Sequence, residues 1–253
     1  MSSTDNIIQM PPIIYNNIQN MYRDRNYSII SLEGNIGAGK STLLEKLEVH
    51  FADNPTIQFL REPVDVWEGV RDTDGETILQ KFYKNPQKHA FSFQVMAYAS
   101  RLSALTRLLK ENPECTVVIC ERSLDADKYI FAKMLHDDGA MDDVEYQIYQ
   151  MFSAAQTSAM KLDGIVYLDT EPDACFTRVA NRGRDGEEGI SLDYLYRCRE
   201  YHEMWFSADK REGSLLRLNT TPEASYVAGD VGGEWVMAVS RFVEKWIRES
   251  DKR

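Results

Sequence analysis

The stretch Gly34-Asn35-Ile36-Gly37-Ala38-Gly39-Lys40-Ser41-Thr42 combines closely spaced glycines with one lysine and two hydroxyls, the residue types that can hold a phosphate chain. Gly34, Gly39, Lys40 and Ser41 satisfy the spacing GxxxxGK(S/T). Glycines let backbone N–H groups curl around an anion, and a helix N-terminus beyond them adds the positive end of its dipole. Lys40 would reach the outer phosphates of a nucleoside triphosphate, and the Ser41 hydroxyl would bind Mg²⁺. Ile29–Glu33 before the loop reads as a strand. Ser41–His50 after it reads as a helix with Leu43, Leu44 and Leu47 on one face.

Other residues carry weaker signals. Glu62 opens Glu62-Pro63-Val64-Asp65-Val66-Trp67 at the end of a strand candidate, where parallel sheets bind ligands, although Glu-Pro is also common turn punctuation. Glu121-Arg122-Ser123 ends another strand, placing a carboxylate near a metal position and a guanidinium beside it; an ordinary surface ion pair is the plain alternative. Gln94, Ala97 and Arg101 share a helix face, which for an isolated Gln and Arg could be a solvated one, and Asp127 and Phe131 place a carboxylate beside an aromatic ring. Arg178, Arg182 and Arg184 surround a helix end at Gly183, with Glu187 and Glu188 following. They suit a clamp on transferring phosphates, or simply cations at a helix C-terminus with salt-bridge partners.

The elements that must position these groups alternate. Strand candidates are Tyr27–Glu33, Thr56–Arg61, Thr116–Glu121, Gly164–Asp169 and Ser214–Asn219. Helical patterns run over Ser41–His50, Pro86–Glu111, Leu124–Leu135, Val144–Leu162, Pro172–Asn181, Leu192–Ala208 and Glu234–Glu249. This alternation predicts an α/β fold, a five-stranded parallel sheet covered by helices on both faces. Residues 1–26 read as a polar, mobile tail and residues 27–253 as one domain.

The 253 residues include 40 acidic and 29 basic side chains, a net charge of -11. Such a chain is a poor general binder of nucleic acid or anionic membrane, so any phosphate must be held locally. Cys115, Cys120, Cys175 and Cys198 lack paired spacing and read as buried free thiols. No secretory signal or transit peptide is recognisable, which points to the cytosol, with the nucleus also open.

Taken in order, EGNIGAGKST (Glu33–Thr42), EPVDVW (Glu62–Trp67), YKNPQKHAFSFQ (Tyr83–Gln94), ERSLDADKYIFA (Glu121–Ala132) and RVANRGRDGEEGISL (Arg178–Leu192) resemble the deoxyribonucleoside kinase family, particularly its deoxycytidine/deoxyguanosine kinase branch. The resemblance runs from about Ser28 to Trp205. It implies a P-loop kinase fold with an Arg-rich lid and an ATP-dependent, Mg²⁺-assisted transfer to a deoxynucleoside in nucleotide salvage. It also implies a homodimer, for which Pro86–Glu111 and Val144–Leu162 are candidate contact helices. By position, Glu62 would be the base for the sugar 5′-hydroxyl, Arg122 would hold that hydroxyl, and Glu121 with Ser41 would serve Mg²⁺. Tyr83 and Glu187 would bind the 3′-hydroxyl. Gln94 would pair with the base, which would lie between Phe131 and the Trp67/Phe93 side of the pocket. Arg178, Arg182 and Arg184 would close over ATP, and Asn35 and Ile36 would join the acceptor-side wall.

Ala97, Arg101 and Asp127 would set the base preference, because an Arg–Asp pair suits an exocyclic amino group and thymine has none. The expectation is deoxycytidine and purine deoxynucleosides over thymidine. The chain departs from the family pattern at Gly186, Ser191 and Asp125. The rival readings are a nucleoside monophosphate kinase, such as a thymidylate kinase, and a non-catalytic structural member of the same family.

Overall fold

The computed structural model describes residues 25–208 and 213–250. Apart from Arg25 and Asn26, the expected tail therefore lies outside the described residues. The Arg25 guanidinium meets both Asp163 carboxylate oxygens at 2.6 Å, and Asp163 accepts the Ile29 N–H at 2.8 Å, fixing the entry to the first strand.

Five parallel strands, β1 (Ser28–Gly34), β2 (Ile57–Leu60), β3 (Val117–Glu121), β4 (Gly164–Asp169) and β5 (Leu215–Asn219), form one sheet in the order β2-β3-β1-β4-β5. β1 lies at the centre and is buried along its whole length. The chain builds the β2–β3 side first and then crosses to β4 and β5. The carboxyl end of β1 therefore faces the crevice where open α/β sheets take ligands.

The helices are α1 (Lys40–His50), α2 (Val64–Gly69), α3 (Ile78–Lys84), α4 (Pro86–Glu111) and α5 (Leu124–Ala126). A π-helical turn (Asp127–Ala132) then leads to α6 (Lys133–Asp137), α7 (Asp143–Ala159), α8 (Pro172–Arg182), α9 (Leu192–Ala208) and α10 (Val231–Ser250). Side chains alternate across β1, so it divides the core. Ile30 and Leu32 join Leu43, Leu44 and Leu47 of α1, Val179 of α8 and Val239 of α10. Ile29 joins Tyr98 of α4, Ile130 and Phe131 of the π turn, Tyr149 of α7 and Tyr201 of α9. By the same alternation Ser31 and Glu33 share the Ile29 side, which puts polar groups inside the second layer. Each large apolar side chain so covered contributes about 1.5–3 kcal/mol.

The helices Pro86–Glu111 and Leu192–Ala208 and the strand Gly164–Asp169 occupy the expected residues, and all four cysteines are buried and free. Three differences bear on the site. The helix expected over Leu124–Leu135 is interrupted by the π turn, whose wider winding re-aims Asp127 and Phe131. The run expected to Leu162 ends as a helix at Ala159, before the chain turns into β4. The short helices α2 and α3 carry too few residues for a periodic signal.

α3 does have a local signature. Thr77 accepts the Gln80 N–H at 3.1 Å while the Gln80 side chain accepts the Thr77 N–H at 2.8 Å, a reciprocal capping box. Thr77→Ala removes the cap of the helix that carries Tyr83. Chemical denaturation is expected to show a loss of about 0.5–2 kcal/mol; unchanged stability would mean that the box contributes nothing.

Candidate active site

The loop between β1 and α1 needs its glycines. Gly37 has φ +82°, and a Cβ there would stand 2.6 Å from the Cys175 carbonyl oxygen; Gly34 has φ +147°, with the Leu168 carbonyl at 2.8 Å. The loop is thus pressed against β4 and α8. Lys40 folds back over it, donating to the carbonyls of Asn35 at 2.8 Å and Gly34 at 3.3 Å. Burial and the nearby Arg122 push the Lys40 pKa down to about 8, against the pull of Glu121, Glu62 and Glu33. Ser41 donates to Glu121 at 2.6 Å, bringing together two hard oxygen ligands suited to Mg²⁺ at the loop's edge.

A cleft of about 700 Å³ opens in front of the loop. It is lined by Ile36, Gly37, Gly39, Lys40, Ser41 and Thr42, and by the arginines Arg178, Arg182 and Arg184. Apart from Asn35, the residues expected on the acceptor side also line it: Glu62, Trp67, Tyr83, Phe93, Gln94, Ala97, Arg101, Arg122, Asp127, Phe131 and Glu187. Gly34 and Ala38 lie behind the lining, as parts of the loop backbone. Asn35 differs from expectation: its side chain is buried and donates to the Leu195 carbonyl of α9 at 2.8 Å, so it braces the loop, and only Ile36 walls the cleft.

Glu62 stands just past the end of β2, where Pro63 turns the chain into α2. Its Oε1 lies 3.2 Å from Arg101 Nη2 and 3.4 Å from Arg122 Nε. Burial works to raise its pKa, but the charges of Arg101, Arg122 and Lys40 outweigh it and hold the carboxyl below its usual range. Arg101 also grips Asp127 with two bonds, Nε to Oδ2 at 2.9 Å and Nη2 to Oδ1 at 3.2 Å. One guanidinium on α4 therefore ties the π turn to Glu62, a contact absent from the sequence reading because it joins three distant segments.

Arg122 is the one non-glycine with positive φ (66°) among the described residues. Its Nη2 donates to the Gly34 carbonyl at 3.2 Å, and its guanidinium lies over the Phe131 ring, 4.5 Å from the centroid. Beside it Glu33 is fully buried, and burial pushes that carboxyl above its usual range despite Arg122, Ser123 and Lys40.

On the opposite wall Trp67 meets Phe93 edge-on at 5.7 Å, and behind it the buried Phe82 stacks on Phe93 with centroids 4.7 Å apart. Gln94 is 2% exposed and Arg101 3%, so the stripe on α4 is interior and not a solvated face. The Gln94 Oε1 and Arg101 Nη1 atoms have no protein hydrogen-bond partner, leaving an acceptor and a donor available beside the aromatic wall. Burial and the charge of Glu187 push the Tyr83 phenol above its usual range, so it has a proton to donate.

Glu187, and not its neighbour Glu188, faces the cleft. Its carboxylate takes bonds from Arg182 at 2.6 and 2.8 Å and from Arg184 at 3.4 Å. Arg178 instead donates to the carbonyls of Thr220, Thr221 and Pro222. Gly186 has φ +90°, and a Cβ there would meet Gln80 at 2.9 Å. A larger residue would push the lid away from α3, which accounts for glycine at this departure from the family pattern. The cleft also includes Arg61, Val64, Asp65, Leu79 and Tyr194, which sequence reasoning missed. Arg61 and Asp65 flank Glu62 and could have been found by proximity. Tyr194 reaches the cleft only because α9 packs beneath the loop.

Comparison with known proteins agrees with this architecture. A family model described as deoxynucleoside kinase matches residues 30–231. The chain is 42% identical over 180 residues to a probable deoxycytidine kinase of fowlpox virus, covering 70% of this chain and 71% of that protein. It is 36% identical over 212 residues to mouse deoxycytidine kinase, covering 76% and 80%. It is 32% identical over 210 residues to the mitochondrial deoxyguanosine kinase of Xenopus laevis, covering 76% and 78%. With the glycine loop and the parallel sheet both present, the chain belongs to the deoxynucleoside kinase family.

Proposed function

We propose that this protein transfers the γ-phosphate of ATP to the 5′-hydroxyl of a deoxyribonucleoside, preferring deoxycytidine and purine deoxynucleosides to thymidine, and so serves nucleotide salvage. The observation that carries the reading is Glu62, held ionised between Arg101 and Arg122 across the cleft from Lys40. Glu62 takes the hydroxyl proton as the 5′-oxygen bonds to the γ-phosphorus and ADP leaves. Arg122 keeps the hydroxyl and the carboxylate in line, and general-base assistance of this kind contributes on the order of 10²–10⁴-fold.

Phosphoryl transfer has a loose transition state, so positioning and charge neutralisation carry most of the catalysis. Lys40 and the lid arginines Arg178, Arg182 and Arg184 supply positive charge around the transferred group. Ser41 and Glu121 would hold Mg²⁺, which would supply further positive charge beside the phosphates. Tyr83 donates to the sugar 3′-hydroxyl and Glu187 accepts from it, and the base lies between Phe131 and the Trp67/Phe93 wall.

The Gln94 acceptor and the Arg101–Asp127 pair suit a base with an exocyclic amino group. Thymine would leave buried polar atoms unmatched and bring a methyl group against them. A monophosphate acceptor would need cations of its own near Glu62, yet Arg101 is engaged by Asp127 and Glu62, and the Nε of Arg122 faces Glu62. A purely structural role is disfavoured by the catalytic set being present in full.

The reading extends to a cytosolic homodimer. Val144 and Ile148 are exposed on α7, one of the candidate contact helices, and no helix among the described residues is long and apolar enough to cross a membrane.

Transfer from labelled ATP to the four deoxynucleosides, compared by kcat/KM, tests the assignment. Deoxycytidine or a purine deoxynucleoside is expected to lead, and thymidine as best substrate would refute the base preference. Glu62→Ala is expected to lower turnover by about 10²–10⁴-fold with ATP binding intact, and near-normal turnover would refute its role. The lowered Lys40 pKa adds a pH dependence, because bound phosphate favours the ammonium form. Above pH 8 the Kd for ATP should rise, approaching about tenfold per pH unit, with proton uptake on binding. A Kd that stays flat from neutral pH into the alkaline range would contradict a lowered Lys40 pKa in the free protein.

A further inference from the structure

Glu33 has no part in the mechanism above, yet it stands against Arg122, which lines the cleft, and binds the Ser123 that follows it. It sits at the carboxyl end of β1, on the second-layer side of the sheet, with no exposed surface. Its Oε1 accepts two hydrogen bonds from one residue, the Ser123 N–H at 2.9 Å and the Ser123 hydroxyl at 2.6 Å. The same hydroxyl accepts the Ala126 N–H at 3.1 Å and so caps α5, which runs directly into the π turn bearing Asp127 and Phe131.

Between Glu121 and the pinned Ser123 lies Arg122, in the left-handed conformation that a side chain with Cβ adopts only at a cost. Its N–H is fixed to the Leu32 carbonyl at 3.0 Å, one residue before Glu33. The second Glu33 oxygen faces Arg122 Nη1 at 4.0 Å, and neither atom has a hydrogen bond of its own among the described residues. A carboxylate is costly to strip of water. An apolar residue would cover this spot more cheaply but could not hold the turn.

We propose that Glu33 is a positioning residue for the transfer: by clamping Ser123 it holds Arg122 in its left-handed conformation, aims the guanidinium at Glu62, and sets the start of the turn that presents Asp127 and Phe131. This rests on the reading of Arg122 as the group that holds the acceptor hydroxyl. The effect falls on the acceptor half of the cleft. The phosphate loop keeps its own anchors through Lys40, Asn35 and the close contacts of Gly34 and Gly37.

Two variants attack the clamp from opposite sides. Glu33→Gln keeps the shape but has a single acceptor oxygen, so it must give up either Ser123 or Arg122. Ser123→Ala leaves the carboxylate in place and removes the hydroxyl. Each is expected to lower kcat/KM for the deoxynucleoside by between about ten- and a hundredfold, the scale of a small misplacement of a catalytic group. The Kd for ATP should stay within about twofold, and the double variant should lose less than the product of the single losses because both act through one contact.

Deoxynucleoside kcat/KM within about twofold of the parent in the folded variants would overturn the proposal. So would a parallel loss of ATP binding, which is what a merely structural role predicts. If Glu33→Gln does not fold, Ser123→Ala decides by the same criteria. Arg122→Ala, measured alongside, separates the two levels. An active Arg122→Ala overturns the site reading and this proposal with it. An inactive Arg122→Ala beside active Glu33→Gln and Ser123→Ala overturns the positioning role alone.

Discussion

The cleft depends on keeping one carboxylate, Glu62, ionised in a place that water reaches poorly. Burial alone would favour the neutral acid, which could accept no proton. Two guanidiniums reverse that balance, Arg101 from the long helix α4 and Arg122 from the end of β3, with Lys40 adding charge from across the cleft. Much of the architecture serves to bring these three cations to one point. β1 delivers the loop before Lys40, β3 delivers Arg122, and the π turn supplies Asp127 to hold Arg101 in register. Breaking a buried pair by removing one partner typically costs about 3–5 kcal/mol, so these groups constrain the fold as well as the chemistry.

The same balance explains how a chain of net charge -11 can hold a triphosphate. Its surface repels polyanions in general, but the cleft gathers Lys40, Arg61, Arg101, Arg122, Arg178, Arg182 and Arg184 within one lining. Several of these cations already have partners. Arg182 and Arg184 rest on Glu187, Arg61 on Glu48, and Lys40 on loop carbonyls. Such contacts offset mutual repulsion in the free protein, and an incoming phosphate chain would replace them with stronger ones. Because Glu187 also lines the cleft, the arginines that rest on it and the proposed sugar pocket would share a side chain.

How far this was legible in the sequence follows from the range of each interaction. The glycine loop was legible because its function is local: backbone conformation, a helix start and a lysine at fixed spacing. Strands and long helices were legible from periodicity, and Pro86–Glu111 and Leu192–Ala208 fall where it placed them. The short α2 and α3 lack periodicity, although Thr77 and Gln80 spell a capping box that marks the second of them. The π turn was hidden because a widened turn leaves the hydrophobic pattern of Leu124–Leu135 nearly unchanged. The burial of Gln94 and Arg101 was unreadable without the resemblance, since isolated polar residues on a helix usually face water. The bond from Arg101 to Glu62 and the turn of Asn35 toward Leu195 depend on segments far apart in the chain, which no local pattern encodes.

The claim that surrounding cations hold Glu62 ionised can be measured directly by following its carboxyl carbon through a pH titration in ¹³C-labelled protein. The signal would be assigned by its loss in Glu62→Gln. A midpoint below the ordinary glutamate value of 4.5 is expected, displaced upward when Arg101 is replaced by methionine. A midpoint at or above 4.5 in the unaltered protein would show that burial prevails, and would contradict the account.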